Sequence, residues 1–177
     1  MSTMTSEHAT VILQSVGLPS LKAEHPVTKS VIAAIPADKA TYAPDPVTRS
    51  AMDLAWHIVT AENRFIEAVV DGAFDLTPRD RPASVKTPAD VNRWYEDHFN
   101  KNVARLADVP GDHLVRPIDF RGIFTFPAVI YVQLALNHSI HHRGQLSMLL
   151  RPMGAKVPSI YGESYDARVA REQKQQA

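Results

Sequence analysis

Residues Leu136 to Arg151, LNHSIHHRGQLSMLLR, put three histidines within five positions of one expected helix. His138 and His142 are four apart, so on a helix their side chains lie one turn above one another and can face a common ion. One helix face does not surround a metal. The best source of a further ligand is His57, in the second helical stretch SAMDLAWHIVTAENRF. Two neutral imidazoles in an apolar stripe need more hydrogen-bond partners than apolar neighbours supply, and a divalent ion answers that need. The ordinary alternative is a pair of core or helix-surface imidazoles bonded to backbone and side-chain partners.

The helix carrying this stretch is expected to begin after Thr125 and to run to about Met153, where Gly154 ends it. At about 100° per residue its inward stripe is Tyr131, Leu134, His138, His142, Gln145 and Leu149. His141 falls at the stripe's edge, and Arg143 points away from it, toward a salt bridge or an interface. Gln145 is a candidate for orienting a ligand or binding substrate, with a bond to a neighbouring helix as the ordinary alternative. In the upstream helix, Ser50 and Asp53 form a capping pair and Gly72 supplies the stop. His57 sits at the edge of that helix's apolar face with Asp53, Thr60 and Arg64, where a core borders a crevice. Asp53 is a candidate fourth ligand, ligand-orienting partner or general base, and helix capping is its ordinary role.

Two further helices complete a bundle. Leu21, Val27, Val31, Ile32 and Ile35 predict one over 18–35, with Pro26 ending a first segment or kinking it. Thr87, Pro88 and Asp90 start another that runs to about Ala107. Between them and the last helix, LVRPIDFRGIFTF alternates around Arg121-Gly122 and reads as a short hairpin lying against the helices. The fold class is therefore all-α, a four-helix bundle with a short extended or hairpin excursion before the last helix. Residues 1–17 read as an N-terminal extension with a turn or two of helix, 18–166 as the bundle domain, and 167–177 as a polar tail that frays.

Composition narrows the function. Nineteen basic residues balance nineteen acidic ones, so no net field draws the chain to nucleic acid or an anionic membrane. No apolar run approaches the roughly 20 residues a membrane span needs. With no cysteine among 177 residues there is no disulfide and no thiolate nucleophile, and metal chemistry is left to histidine and carboxylate. The expected location is the cytoplasm and the expected partner a small molecule. His8, His25, His98 and His113 lack chelating spacing and read as surface residues. Trp56, Trp94, Tyr131 and Tyr161 are candidates for a pocket wall, with core packing as the ordinary role. The His138-Ser139-x-x-His142 spacing matches the two ligands of the H-E-x-x-H metalloprotease motif but lacks its general base.

LAWHIVTAE, NHSIHHRGQL and GAKVPSIYGES together resemble the DinB/YfiT-like superfamily, from about Glu24 to Asp166. The resemblance implies a four-helix bundle whose metal is bound by His57, His138 and His142, with one or more positions open. Many relatives carry an acid where this chain has Ser139. It also implies a homodimer and chemistry with low-molecular-weight thiols such as mycothiol or bacillithiol. The cofactors expected are one divalent ion, with zinc, nickel or iron leading, and such a thiol. The leading reading is a metal-dependent S-transferase. A metal-dependent hydrolase with Asp53 as base is the alternative within enzymes, and a non-catalytic metal-stabilised or ligand-binding bundle is the alternative outside them.

Overall fold

The computed structural model describes residues 4–176. Helix α1 (Ser6–Ile12) passes through a π-turn, Leu13–Gly17, into α2 (Leu18–Ala33). Helices α3 (Ala51–Asp71) and α4 (Pro88–Ala107) follow, then the single turn α5 (Gly111–Leu114). Strands β1 (Pro117–Phe120) and β2 (Phe124–Pro127) precede α6 (Ile130–Leu150), and α7 (Tyr165–Gln175) closes the chain. The long helices are α2, α3, α4 and α6. α3 packs on α4 and α6, and α2 packs on the same two from the other side. This is the expected helical bundle with a hairpin before its last long helix.

The start and stop signals act as their chemistry requires. Ser50 Oγ accepts the Asp53 N–H at 3.2 Å, and Gly72 takes the left-handed conformation at φ 77° that ends α3. Thr87 and Asp90 form a reciprocal capping box with Pro88 in the first turn. In the hairpin, Arg121 and Gly122 both have positive φ (59° and 68°), the pairing a tight primed turn demands. The Ile123 N–H closes that turn on the Phe120 carbonyl at 3.0 Å.

Several expectations need correction. Pro26 does not end α2, which runs through it; Pro26 is exposed, and so is Lys22, whose carbonyl loses its helical partner there. The last long helix starts at Ile130 rather than after Thr125, because Phe124–Pro127 is spent pairing with β1. Its far end closes as expected, with Ala155 N–H bonded to the Leu150 carbonyl and Gly154 N–H to that of Arg151, a Schellman arrangement at Gly154. Residues 165–175, mostly expected as a polar tail, are helical. Ser164 caps them through the Ala167 N–H, and Asp166 in the first turn pairs with Arg151 at 2.8 Å. Residues 6–17, where a turn or two of helix is expected, are helical throughout and bury Ala9 and Leu13 completely.

A further correction concerns which face of α6 is inside. Its buried residues include Val132, Ala135, Leu136, Ser139, Arg143, Leu146 and Leu150, a 3.6-residue stripe centred about one position later than the apolar pattern indicates. Ser139 and Arg143 belong to the core because each is satisfied there. Ser139 donates its hydroxyl to the fully buried Glu62, which also accepts the Tyr95 hydroxyl at 2.5 Å. Burial raises the Glu62 carboxyl above the usual range. Arg143 makes the salt bridge expected of it, but a buried one: it is 1% exposed and pairs with Glu24 at 2.6 Å. It also bonds the Thr28 and Tyr161 hydroxyls at 3.1 and 2.7 Å.

His25 is another surface expectation that fails. It lies 8% exposed, stacked on Phe99 with centroids 3.9 Å apart. Burial lowers its pKa to about 4, against a partial upward pull from Glu96, so near neutrality its 3.8 Å approach to Glu96 is not an ion pair. Between about pH 6.5 and 4 the unfolded chain takes this proton and the folded chain does not. Stability is therefore full above about pH 6.5 and drains as pH falls toward 4. His25→Phe is expected to lose less stability than the native chain between pH 7 and 4.5. Urea midpoints at the two values check this, and equal losses would contradict it.

Candidate metal centre

α3 and α6 lie against each other along their length, and this contact brings His57 to His138 and His142. One nitrogen from each of the three imidazoles lies within 4.8 Å of the others. His57 Nε2 and His142 Nε2 are 3.2 Å apart. The ring pairs meet edge to face, with His57–His142 centroids at 4.6 Å and His138–His142 at 4.4 Å. A tetrahedral ion with bonds of about 2.0–2.1 Å keeps its ligand atoms about 3.3 Å apart, so the His57–His142 spacing fits one.

The protonation states suit the same role. Burial, then Arg49 and His142, lower the His57 pKa to about 4. Burial, then His142 and His57, lower that of His138 to about 4. His142 is lowered by burial against an opposing bond from Gln145. All three rings are thus neutral near pH 7 and offer lone pairs. His138 Nδ1 is buried without any hydrogen-bond partner, an orphaned polar atom of the kind that calls for an explanation.

Gln145 is exposed rather than within the apolar stripe. It holds the cluster from outside: His142 Nδ1–H donates to Gln145 Oε1 at 2.7 Å, and Gln145 Nε2 donates to His141 Nε2 at 3.1 Å. That leaves the His142 Nε2 lone pair turned toward His57, the tautomer control that ligand imidazoles need. His141 is exposed and outside the three-residue group. Asp53 performs its capping role, accepting the Ser50 hydroxyl at 2.6 Å and facing Arg81 at 3.8 Å. It too stands apart from the cluster.

His57 and His138 form part of the wall of a cavity of 610 Å³. As their helical positions predict, Asp53, Thr60 and Arg64 line it with His57. A second hollow, on the other side of Arg49, reaches His142 and Gln145. Of the four aromatic candidates, only Trp56 lines the first cavity, with its indole N–H on the Arg79 carbonyl at 2.9 Å. Trp94 stacks on His98, Tyr131 is buried with its hydroxyl on the Ile118 carbonyl, and Tyr161 holds Arg143. Sequence reasoning missed Phe74, Arg79 and Arg121, which reach the cavity from the 73–81 loop and the hairpin tip. No periodicity marks them, because loop positions are set by tertiary packing.

Comparison with known proteins gives a consistent result. A family model described as the DinB family matches residues 4–175. YjoA of Bacillus subtilis, described as uncharacterized, is 30% identical over 130 residues, which is 72% of this chain and 82% of its own length. YrdA of the same organism, also described as uncharacterized, is 33% identical over 111 residues, 62% of this chain and 64% of its own. The crystal structure of YjoA, described as DinB-like, superposes with a TM-score of 0.65 at 26% identity, covering 79% of this chain and 92% of that one. A DinB-like protein from Bacillus cereus shares the fold at a TM-score of 0.69 and 24% identity, over 90% and 100% of the two chains.

Proposed function

The chain belongs to the DinB family, and from that premise we propose that His57, His138 and His142 hold one divalent metal ion and that the protein is a metal-dependent enzyme of the low-molecular-weight-thiol S-transferase type. The observation that carries this reading is the meeting of three neutral imidazoles, ligand atoms within 4.8 Å, two of them (His57 and His138) at the wall of a 610 Å³ cavity. When bound, such an ion supplies Lewis-acid chemistry, lowering the pKa of a thiol or of water at its open position.

The chain's own residues do the rest. Three imidazoles contribute no negative charge, so the ion's charge stays available to the reactants. Gln145 fixes the His142 tautomer. Phe65, Phe74 and Phe120 supply an apolar part of the cavity wall. The chain has no cysteine, so the nucleophilic sulfur comes from a bound thiol, which gives up its proton to solvent, bonds to an electrophilic carbon and expels the leaving group with its electron pair. Thiol transfer is favoured over hydrolysis because Asp53, the candidate base, is committed to Ser50 and Arg81.

The test is conjugation of mycothiol or bacillithiol to monochlorobimane by protein loaded with zinc, nickel or iron. Transfer is expected to need the metal, to vanish in His142→Ala and to survive in Asp53→Asn. Transfer that ignores His142 would overturn the reading. A metal-dependent ester hydrolysis abolished by Asp53→Asn would replace it with the hydrolase.

A further inference from the structure

The cavity beside the histidines carries more positive charge than the balanced composition of the chain suggests. Arg49, Arg64, Arg79 and Arg121 all line it, against Asp53 and Asp80. Arg79 is neutralised by Glu67, and Asp53 is faced by Arg81. Among the described residues, Arg49, Arg64 and Arg121 have no carboxylate within ion-pair distance. Three unpaired guanidinium groups therefore share a hollow with one unpaired carboxylate.

Arg64 is the most informative of them. One of its terminal nitrogens donates to the Thr77 carbonyl at 2.6 Å, which anchors the group, while its Nε is buried with no partner. A buried donor left unpaired costs stability, and the part of the guanidinium that lines the cavity is free to meet an anion there. Burial and then the neighbouring Arg79 hold the Arg64 guanidinium below its usual range, against an opposing pull from Asp75 and Glu67 and with Arg121 adding to the lowering. Arg121 carries a second cost. It is the one non-glycine residue of positive φ among those described, a left-handed conformation that disfavours any side chain with a Cβ. Glycine would fit that turn position more easily, yet arginine occupies it and lines the cavity.

The opposite character is present on the same walls. Phe65, Phe74 and Phe120 contact one another edge to face or stacked, at centroid separations of 4.8 to 5.9 Å. We infer that the cavity binds an organic anion, a carboxylate or phosphate monoester, whose acidic group meets Arg64 and Arg121 and whose apolar body lies on this phenylalanine cluster. The inference names the substrate class of the site proposed above. It rests on that reading for its orientation, with the far end of the ligand turned toward His57 and His138.

Calorimetric titration at fixed ionic strength tests it, using phenylacetate and phenyl phosphate as probes and uncharged phenylacetamide as the control, on metal-free and on zinc-loaded protein. The expected result is binding of one or both anions to the metal-free native chain, with phenylacetamide at least tenfold weaker. Which anion binds more tightly separates the carboxylate source from the phosphate source. Arg64→Gln and Arg121→Gly should each weaken the anion roughly tenfold or more, the loss of a charge-assisted bond. Arg168→Gln, on the exposed face of α7, should change nothing. Arg121→Gly should also raise the unfolding temperature as it weakens binding, a combination that a structural role for Arg121 does not produce.

Equal binding of phenylacetamide, or native affinity in both arginine variants, would overturn the inference. So would anion binding found only on zinc-loaded protein and lost only in His142→Ala, since the anion would then sit on the metal. Because the metal-free arm does not involve the histidines as ligands, failure of the metal reading and failure of this one remain distinguishable.

Discussion

Arg143→Ala is expected to cost about 3–5 kcal/mol of folding free energy, the usual consequence of removing one partner of a buried ion pair. The side chain is 1% exposed and its Glu24 partner 17% exposed, so little solvent screens the pair. Truncation leaves the Glu24 carboxylate with only the Tyr161 hydroxyl at 3.1 Å. It also empties the space held by the largest fully buried side chain and frees Tyr161 from its bond to Arg143. Because native domains have about 5–15 kcal/mol in hand, the variant should sit near the edge of folding.

A Lys at this position should recover only part of the loss, since an ammonium cannot serve Glu24, Thr28 and Tyr161 with a planar fork. The double replacement Glu24→Gln, Arg143→Met should be more stable than Arg143→Met alone, because it removes the orphaned charge. Equilibrium urea unfolding checks the set. A cost for Arg143→Ala below about 1 kcal/mol, the range of exposed pairs, would contradict the buried-pair account.

The second large effect belongs to the histidines. Without metal, His138 Nδ1 is buried and unpaired, a cost that the 3.2 Å hydrogen bond between His57 and His142 does not relieve. The cluster should therefore weaken the metal-free fold. His138→Leu should stabilise the metal-free chain, an exchange of function for stability common at ligand sites. With a divalent ion at about a thousand times its dissociation constant, the native chain should gain about 4 kcal/mol. His138→Leu and His142→Ala should gain much less. Thermal unfolding with and without zinc, nickel or iron separates these results, and equal metal-induced gains in the native chain and both variants would refute the ligand assignment.

The sequence yields its information unevenly here, for physical reasons. Ser50 with Asp53, Thr87 with Pro88 and Asp90, Gly72, Gly154 and the Arg121-Gly122 turn were all legible, because each signal is local backbone chemistry. The three histidines were legible because helical spacing alone makes two of them neighbours, and the edge position of His57 correctly predicted a cavity beside it. The buried face of α6 was not. Ser139 and Arg143 look like outward positions until Glu62 from α3 and Glu24 from α2 are known to meet them. A hydrophobic pattern carries no trace of such long-range partners. The same limit hid Glu62 itself, and it hid all of the arginine wall but Arg64 on α3, since Arg49, Arg79 and Arg121 come from two loops and the hairpin. Helix α7 was missed because it buries none of its residues and depends on the Ser164 cap and the Asp166–Arg151 pair.

The measurement closest to the central claim is elemental analysis of protein purified without a histidine tag, for the native chain, His57→Ala and His142→Ala. The account predicts about one equivalent of a divalent metal in the native protein, lost in both variants, since the ligands come from two different helices. A native chain that holds no metal even after zinc, nickel or iron is supplied would contradict it, and His57, His138 and His142 would then be ordinary imidazoles at the edge of a core.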